Sequence, residues 1–357
     1  MKRIVIAAGG TAGHVVPALA VADALRERGA EVEFIGGERA EAELVPAAGY
    51  PLHRLRVAGI DRRNALRGAR AFLLAGRATT RARGLLRAID ADAVMGGGGY
   101  VAGPVGLAAR SLRLPLVLTE ADSHLGVTNR VLAPLAQRVF LAFPIEGRSG
   151  RKWEVVGRPV PASTGHADRS EARQRFDIGP DEPCVLVFGG SLGARRLNHA
   201  AIDAFGAAAP CFVLHACGRR DYPELRERLD ALGSPAHYHL YPYVLPFADV
   251  LAAADLVVGR AGGSVMEIAA AGLPAVLVPY PHASADHQTL NAAYIERAGA
   301  AVVVRDDELD GPRLAREVGA LLAAPQRMAA MAKAARAVAK PDAAKQIADE
   351  LLALAEH

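Results

Sequence analysis

A histidine directly follows a glycine-rich turn near the start of the chain: Gly9-Gly10-Thr11-Ala12-Gly13 precedes His14. The apolar run 3–8 predicts a strand before this turn, and the amphipathic run 15–28 predicts a helix after it. Backbone N–H groups at such a turn, together with a helix N-terminus, bind anions and above all phosphate. His14 lies at the mouth of the predicted site. Histidine titrates near neutral pH, so the imidazole of His14 is suited to acid–base chemistry at this site.

The same turn occurs a second time, as Gly189-Gly190-Ser191-Leu192-Gly193 after the apolar run 185–187. One glycine turn is weak evidence, because many turns between a strand and a helix contain glycine. Two turns in matching contexts predict two similar α/β halves with a cleft between them.

The second half carries a further group of polar residues after a predicted strand. Gly259-Arg260-Ala261-Gly262-Gly263-Ser264 leads into a helix that bears Glu267, whose carboxylate suits paired ribose hydroxyls. The amides of Gln288 and Asn291 both donate and accept hydrogen bonds, which suits sugar hydroxyls. His282, Asp286 and His287 lack a third histidine or cysteine at ligand spacing, so we predict no metal site.

Two more segments of the first half follow predicted strands. The run 96–99 consists of four glycines, which suit a loop whose backbone closely approaches a ligand, before a helix predicted over 104–111. The polar cluster 119–124 follows the next strand at the same sheet edge, where polar residues are more often functional than structural.

Strands alternate with helices along the whole chain, which predicts the α/β class with doubly wound parallel sheets. We expect an N-terminal Rossmann-like domain over 1–157, a proline-rich linker over 158–163 and a C-terminal Rossmann-like domain over 164–340. A last amphipathic helix within 341–357 has no strand after it, and we expect it to pack back onto the first domain.

Composition limits the class of protein. The 357 residues are 51% hydrophobic and 22% charged, and no apolar run is long enough to span a membrane. The first predicted strand begins at residue 3, so we expect no signal peptide. The three cysteines have neither disulfide-framework nor zinc spacing, which predicts reduced thiols.

Positive charge is concentrated in residues 51–90, which hold ten arginines and two acidic residues, although the whole chain has a net charge of only +4. Apolar residues alternate with arginines over 64–89, which predicts one helix, or two helices broken near Gly76. Such a helix is typical of proteins that rest on anionic lipid headgroups; the alternative is a core-packing helix with a solvated basic face. Nucleic acid is a poorer partner, because no set of aromatic residues on which bases could stack accompanies the arginines.

Segments along nearly the whole chain resemble the MurG family, the bacterial UDP-N-acetylglucosamine:lipid-linked muramyl-pentapeptide N-acetylglucosaminyltransferases of peptidoglycan synthesis. The matching segments are 9–14, 98–104 and 126–129 in the first half, and 189–195, 260–262, 267–269 and 286–288 with Asn291 in the second.

This resemblance implies the GT-B fold, in which two Rossmann-like domains face a cleft, with UDP-GlcNAc on the C-terminal domain. Glu267 is then expected to bind the ribose, the backbone near Val244 the uracil, and Gln288 with Asn291 the GlcNAc hydroxyls. The diphosphate is expected at Ser191, Gly262, Gly263, Ser264, Val265 and Met266. Thr11, Ala12 and Gly13 are expected to border the sugar from across the cleft, and Asp122 belongs to the same donor-binding set.

The implied reaction is an inverting displacement, in which the C4 hydroxyl of a lipid-linked MurNAc-pentapeptide attacks C1 of GlcNAc and UDP leaves. His14 is the expected base; the alternative is a residue that only positions the sugar or a phosphate. No cofactor is required: a divalent cation can assist, but no acidic residues stand in a loop suited to hold a metal. The residues expected to contact the undecaprenyl-diphosphate acceptor or the membrane are Gly98, Gly99, Tyr100, Glu120, Arg63, Arg67, Arg70, Phe72, Leu73, Leu74 and Arg77. The implied location is the inner, cytoplasmic face of the cell membrane.

The chain departs from the family pattern at three places. The usual His-Glu-Gln-Asn is replaced by residues 119–122, so that Asp122 lacks the amide donor of asparagine. The usual Asn-Pro-Val-Arg is replaced by residues 158–161, which removes an arginine near the donor and leaves Arg158 as the candidate for its space. The spacing from Arg260 to Glu267 is one residue shorter than usual.

Three alternatives remain open on sequence grounds. The nearest is another GT-B transferase that uses a UDP-sugar and a lipid acceptor such as diacylglycerol. An NAD-dependent dehydrogenase fits less well, because the first turn lacks the G-x-G-x-x-G spacing and the second turn has no role. A non-catalytic protein that binds nucleotide sugars is the third.

Overall fold

The computed structural model describes residues 1–57, 65–189, 194–283 and 286–356, and over 65–75 it describes the backbone alone. The chain divides into two compact units, residues 1–161 with 340–357 and residues 162–339. The boundary between Pro161 and Ala162 falls inside the expected linker 158–163. Each unit is a parallel sheet covered by helices.

The first unit alternates strands and helices from its start. Its elements are β1 (Arg3–Ala7), α1 (Ala12–Glu27), β2 (Glu31–Gly36), α2 (Ala40–Ala47), β3 (Leu52–Arg54), α3 (Ala65–Ile89), β4 (Ala93–Gly96), α4 (Gly99–Ser111), β5 (Leu116–Glu120), α5 (Val127–Leu132), β6 (Arg138–Leu141) and β7 (Trp153–Val155). All strand pairs are parallel, and the order is β3-β2-β1-β4-β5-β6-β7.

The second unit repeats this organisation with six strands. Its elements are α6 (Arg169–Arg175), β8 (Cys184–Phe188), α7 (Arg195–Phe205), β9 (Phe212–Ala216), α8 (Tyr222–Ala231), β10 (Tyr238–Tyr241), α9 (Phe247–Ala253), β11 (Leu256–Gly259), α10 (Val265–Ala270), β12 (Ala275–Leu277), α11 (His287–Arg297), β13 (Ala301–Val303), α12 (Gly311–Leu322) and α13 (Pro325–Val338). The parallel order is β10-β9-β8-β11-β12-β13. The last helix, α14 (Ala343–Ala355), belongs to the first unit.

Helices cover both faces of the first sheet, which explains why its central strands β1, β4 and β5 are nearly continuous apolar runs. Ile4 and Ile6 of β1 join the core beneath α1, α2 and α14, whereas Val5 and Ala7 join the core beneath α3, α4 and α5. Ile347 of α14 is fully buried in the first of these cores. The C-terminal helix is therefore part of the hydrophobic core of the first unit.

The start of α4 differs from the sequence expectation. The helix predicted over 104–111 begins instead at Gly99, because Gly98 and Gly99 adopt φ angles of 91° and 78° and turn the chain into the helix before Pro104. The segment 64–89, predicted as one helix or two, is the single helix α3, so the first of the two alternatives is confirmed.

Four short elements, β10, α5, α6 and α9, and the 14-residue helix α13 were not predicted. β10 is a four-residue edge strand with alternating burial, so it lacks the continuous apolar run that marks the central strands. Among the helices that the structure describes, none combines the length and apolar character needed to cross a bilayer.

The predicted absence of disulfides among the cysteines is confirmed, since Cys184, Cys211 and Cys217 are all free and buried. Burial raises the pKa of the Cys184 and Cys211 thiols to about 12, so both are protonated at neutral pH.

We expect Ile347→Ala to lower the free energy of unfolding by about 2–5 kcal/mol, because it opens a cavity in the core shared by α14 and α1. The exposed neighbour Gln346 provides the control, and Gln346→Ala should stay within about 0.5 kcal/mol of the parent. Urea unfolding followed by circular dichroism measures both. Equal unfolding midpoints for the two variants would show that α14 contributes little to the unit.

Candidate functional site

Both sheets have a point at which the chain reverses its direction of strand addition, and open α/β proteins bind ligands at such points. In the first sheet β1 lies between β2 and β4, and Ala7 pairs with Gly96. The loops that follow β1 and β4 therefore leave the sheet side by side. We call this edge, formed by residues 8–14 and 97–100, the first switch point.

His14 lies in the first turn of α1 at the first switch point and is half-buried. Its Nδ1 is 3.4 Å from the hydroxyl of Thr11, the residue that precedes α1. The imidazole packs against the backbone of Gly98, because a Cβ at that position would come within 2.6 Å of Cδ2 of His14. Thr11 and Gly13 are exposed beside it, and Ala12 is half-buried. The expectation that His14 lies at a sheet edge is met, while its chemical role stays a prediction.

The glycine run after β4 is explained by contacts within the protein. A Cβ on Gly99 would overlap the carbonyl oxygen of Gly9, so the two loops touch through their backbones. Gly98 has φ 91° and ψ 178°, which a residue with a side chain adopts only under strain. We expected the backbone of this glycine run to approach a ligand closely. In the structure it closely approaches the backbone of the loop after β1.

Glu41 was not among the predicted site residues, yet its carboxylate joins the loops at this edge. Oε2 accepts a hydrogen bond from the N–H of Gly10 at 2.8 Å, and Oε1 accepts from the N–H of Gly37 at 2.9 Å and from the Tyr100 hydroxyl at 3.0 Å. The residue is fully buried. Burial alone would raise the pKa of Glu41, but these donors favour the ionised form, and its pKa lies below the usual value.

Glu120 does not present its carboxylate outward as a residue that contacts an acceptor would. It is buried and accepts hydrogen bonds from the Gly126 N–H at 2.8 Å, the Asn129 side chain at 2.9 Å and the Asp122 N–H at 3.3 Å. Burial raises its pKa despite these donors. Glu120 thus closes the loop 121–126, on which Asp122 is half-buried, and its contact with the acceptor stays a prediction.

Arg158, which was expected to replace an arginine near the donor, is buried in the first unit. Its guanidinium donates to the carbonyl oxygen of Gly13 and, at 3.0 Å, to that of Ala121. It thus ties the start of α1 to the loop after β5, beside His14. Nothing in these contacts assigns Arg158 to the donor.

The second switch point lies where β8 is flanked by β9 and β11, with Phe188 paired to Gly259. Gly262, Gly263 and Ser264 are half-buried there and lead into α10. Ser191 lies outside the described residues. The side chains of Val265 and Met266 are buried in the core, so only their backbone is available for the predicted diphosphate contact.

The remaining predicted donor residues lie on neighbouring loops and helices of the second unit. Glu267 is half-buried in the first turn of α10. Gln288, in the first turn of α11, accepts a hydrogen bond from the Tyr280 N–H at 2.9 Å, and its Nε2 lies 3.9 Å from the Cβ position of Gly262. Val244 is buried in the loop after β10, between the exposed side chains of Tyr243 and Leu245. Parallel pairing brings these loops to one sheet edge.

Asn291 is fully buried in the first two turns of α11. Its Nδ2 donates to the carbonyl oxygen of Ala261 at 3.1 Å, so it supports the loop before α10, and its contact with the GlcNAc hydroxyls stays a prediction. Arg260 in the same loop is also buried and pairs with Asp306 at 2.5 Å while donating to the carbonyl of Val278 at 3.1 Å.

A buried polar network beneath α7 also escaped prediction. Nδ1 of His215 lies 2.7 Å from the Tyr238 hydroxyl, and its Nε2 lies 3.1 Å from Oδ1 of Asn198. Asn198 also donates to Asp221 at 2.9 Å. Burial lowers the pKa of His215 to about 3, so the imidazole is neutral and serves the core. A histidine inside an apolar strand is the only sequence signal for this network.

The basic helix α3 packs on the first unit through one face. Ala78, Ala82 and Leu86 are buried in the core, whereas Arg77 and Arg81 are exposed. Arg63 lies outside the described residues, as do the side chains of Arg67, Arg70, Phe72, Leu73 and Leu74. Within the described ranges, no three His, Cys, Asp or Glu side chains cluster as metal ligands.

Comparisons with known proteins cover both units. The glycosyltransferase family 28 N-terminal domain matches residues 4–141, and the family 28 C-terminal domain matches residues 184–347. A Moorella thermoacetica protein named UDP-N-acetylglucosamine--N-acetylmuramyl-(pentapeptide) pyrophosphoryl-undecaprenol N-acetylglucosamine transferase is 42% identical over 368 aligned positions, which cover 99% of each chain. A Pseudomonas putida protein of the same name is 40% identical and covers 99% of this chain and 98% of its own. The crystal structure of Acinetobacter baumannii MurG has a TM-score of 0.78 at 31% identity, covering 99% of this chain and 100% of that one.

We expect Gly98→Ala to destabilise the protein by about 2 kcal/mol or more, because alanine is strained at this backbone conformation and its methyl group would meet His14. Gly103→Ala in the same helix is the control, since its Cβ would make an ordinary 3.7 Å contact with Thr128. This control should be neutral or gain about 0.5–1 kcal/mol. Thermal unfolding compares the two variants, and equal losses would contradict the packing described for His14.

Proposed function

The chain belongs to the MurG family of glycosyltransferases, and from that premise we propose that it transfers GlcNAc from UDP-GlcNAc to the C4 hydroxyl of undecaprenyl-diphospho-MurNAc-pentapeptide, with inversion at C1. The observation that carries the proposal is the identity of 40–42% to transferases of that name over essentially their whole length. The reaction makes the protein a hexosyltransferase of peptidoglycan synthesis.

The second unit binds the donor in this proposal. Gln288 supports this assignment, because its amide lies beside the glycines that precede α10 and can hydrogen-bond to sugar hydroxyls. Glu267 binds the ribose hydroxyls, and the backbone near Val244 binds the uracil. The diphosphate is held by Ser191 and by N–H groups of residues 262–266. Asn291 and Arg260 fix the loop that carries Gly262 through buried hydrogen bonds.

His14 is the proposed base. It removes the proton from the C4 hydroxyl while the oxygen attacks C1 of GlcNAc and the bond from C1 to the UDP oxygen breaks. Thr11 and Gly98 hold the imidazole in place through the contacts described above. Negative charge that develops on UDP is stabilised by backbone N–H groups at the turns 189–193 and 262–264. We propose that the reaction requires no cofactor.

The first unit binds the acceptor and the membrane surface in this proposal. Gly98, Gly99 and Tyr100 stand beside His14 at the first switch point. The arginines and apolar residues of α3 bind anionic headgroups on the inner face of the cell membrane, so the protein is peripheral there. The exposed apolar side chains of Leu107, Val127 and Val131 on α4 and α5 add to the support for this surface.

The first test is UDP release from UDP-GlcNAc with a short-chain analogue of the lipid-linked MurNAc-pentapeptide. We expect release to depend on that acceptor, to persist in a metal chelator and to fail with diacylglycerol or with UDP-glucose. His14→Ala should lower kcat about 100- to 10,000-fold, which is the usual contribution of a general base, without weakening UDP-GlcNAc binding.

The exposed His166 provides the matched control, and His166→Ala should retain full turnover. Turnover with diacylglycerol alone would refute the proposed acceptor. Tight UDP-GlcNAc binding without any turnover would instead support a non-catalytic binding protein. A His14→Ala variant with normal kcat would remove His14 from the chemistry.

We also expect the protein to sediment with vesicles that contain anionic lipid and not with neutral ones. Each arginine near an anionic surface contributes about 1 kcal/mol, so Arg67→Glu with Arg70→Glu should weaken vesicle binding about 10-fold or more. Arg316→Glu with Arg327→Glu is the charge-matched control, because both arginines are exposed on helices of the second unit. Equal losses in the two double variants would show that only net charge matters.

A further inference from the structure

We propose that Glu41 is a positioning residue for the transfer reaction: its buried carboxylate fixes the loops that hold His14. The inference rests on the proposed function for its kinetic readout. It concerns a residue that does not touch either substrate in the proposed scheme, and it explains why the first switch point is built from glycines.

The carboxylate joins three segments that are distant in sequence. It receives one N–H from the turn after β1, one N–H from the turn after β2, and the hydroxyl of Tyr100 at the start of α4. It approaches from α2, where it occupies the first turn, and there the helix dipole also favours a negative charge. One side chain thus spans the loops of three adjacent strands, β2, β1 and β4.

Glycine is required around this carboxylate because there is no space for side chains. A Cβ on Gly9 or on Gly37 would lie 2.8 Å from Oε1 of Glu41, and a Cβ on Gly37 would also overlap the Tyr100 hydroxyl. The carboxylate therefore fills the volume that the glycines leave. The carboxylate accepts the N–H of Gly10 in the turn after β1, where the sequence pattern alone predicts an external anion.

The two segments that contact the His14 imidazole are both hydrogen-bonded to the Glu41 carboxylate. Gly10, whose N–H binds Glu41, immediately precedes Thr11 and the first turn of α1. Tyr100, whose hydroxyl binds Glu41, immediately follows Gly99 and Gly98, the residue against which the imidazole packs. If the carboxylate is lost, we expect the turn after β1 and the start of α4 to move apart, and the imidazole to lose its fixed position.

An ionised glutamate is suited to this task because it only accepts hydrogen bonds. Glutamine at this position would turn an N–H₂ group toward at least one of the three donors, which leaves that donor unpaired in the interior. Alanine would leave all three unpaired. Tyr100→Phe removes a single donor and leaves the carboxylate in place.

The experiment compares Glu41→Gln, Glu41→Ala and Tyr100→Phe with Glu43→Gln, which removes the same charge from the same turn of α2 at an exposed position. We expect kcat to fall about 10- to 100-fold in the Glu41 variants, the cost of misplacing a catalytic group by about 1 Å. Tyr100→Phe should show a smaller fall, and Glu43→Gln should behave as the parent. The KM for UDP-GlcNAc should change less than kcat, because most of the proposed donor contacts lie on the second unit and only the sugar borders residues 11–13.

A second readout does not depend on turnover. The NMR signals of the His14 imidazole, assigned with His14→Gln, should shift in Glu41→Gln and in Tyr100→Phe but not in Glu43→Gln. Unshifted His14 signals, or kcat values equal to that of Glu43→Gln, would overturn the inference. Loss of the parent's cooperative thermal unfolding in the Glu41 variants and in Tyr100→Phe would also overturn it, since the fall in kcat would then reflect general unfolding. A parent protein without turnover would refute the proposed function alone, and the NMR comparison would still decide the role of Glu41.

Discussion

Parallel strand pairing is the constraint from which the candidate site follows. It sends the carboxyl ends of all strands in a unit to one edge, so residues as distant as Gly10, Gly37 and Tyr100 meet there. The loops at such an edge crowd one another where the chain reverses its direction of strand addition. At the first switch point the crowding is so close that a side chain on Gly99 would overlap the backbone of Gly9. Glycine in these turns is thus a packing requirement of the fold, whatever ligand the edge binds.

Local sequence patterns predicted the main elements because they depend on short-range rules. The apolar runs gave the central strands to within about two residues, and the amphipathic runs gave most of the long helices. The start of α4 was missed for a local reason, since glycines and Pro104 suggest a loop until the φ angles of Gly98 and Gly99 are known. Short edge elements such as β10 lack the buried runs on which such predictions rely.

The roles of polar side chains were harder to predict, because they depend on tertiary burial. Glu41 sits in a short amphipathic helix beside Glu43, and nothing local distinguishes the buried carboxylate from the exposed one. Glu120 and Asn291 were expected to meet ligands because they follow strands or lie near turns. Both are buried and bind the backbone of neighbouring loops, a structural role that their local sequence does not reveal. His14 and Gln288, by contrast, are only half-buried, which leaves their assignment to chemistry and to donor binding in place.

The two units support their switch-point loops with different groups. In the first unit the Glu41 carboxylate accepts from the N–H of Gly10, and the Arg158 guanidinium donates to the carbonyl oxygen of Gly13, so this turn is held between two buried charges of opposite sign. In the second unit the neutral Asn291 amide donates to the carbonyl oxygen of Ala261, and this support takes no backbone N–H of the loop before α10. Backbone N–H groups bind phosphate, so the loop before α10 is suited to the diphosphate of the donor. In the first turn the N–H of Gly10 is already paired with Glu41, and the two buried charges fix the segment that carries His14.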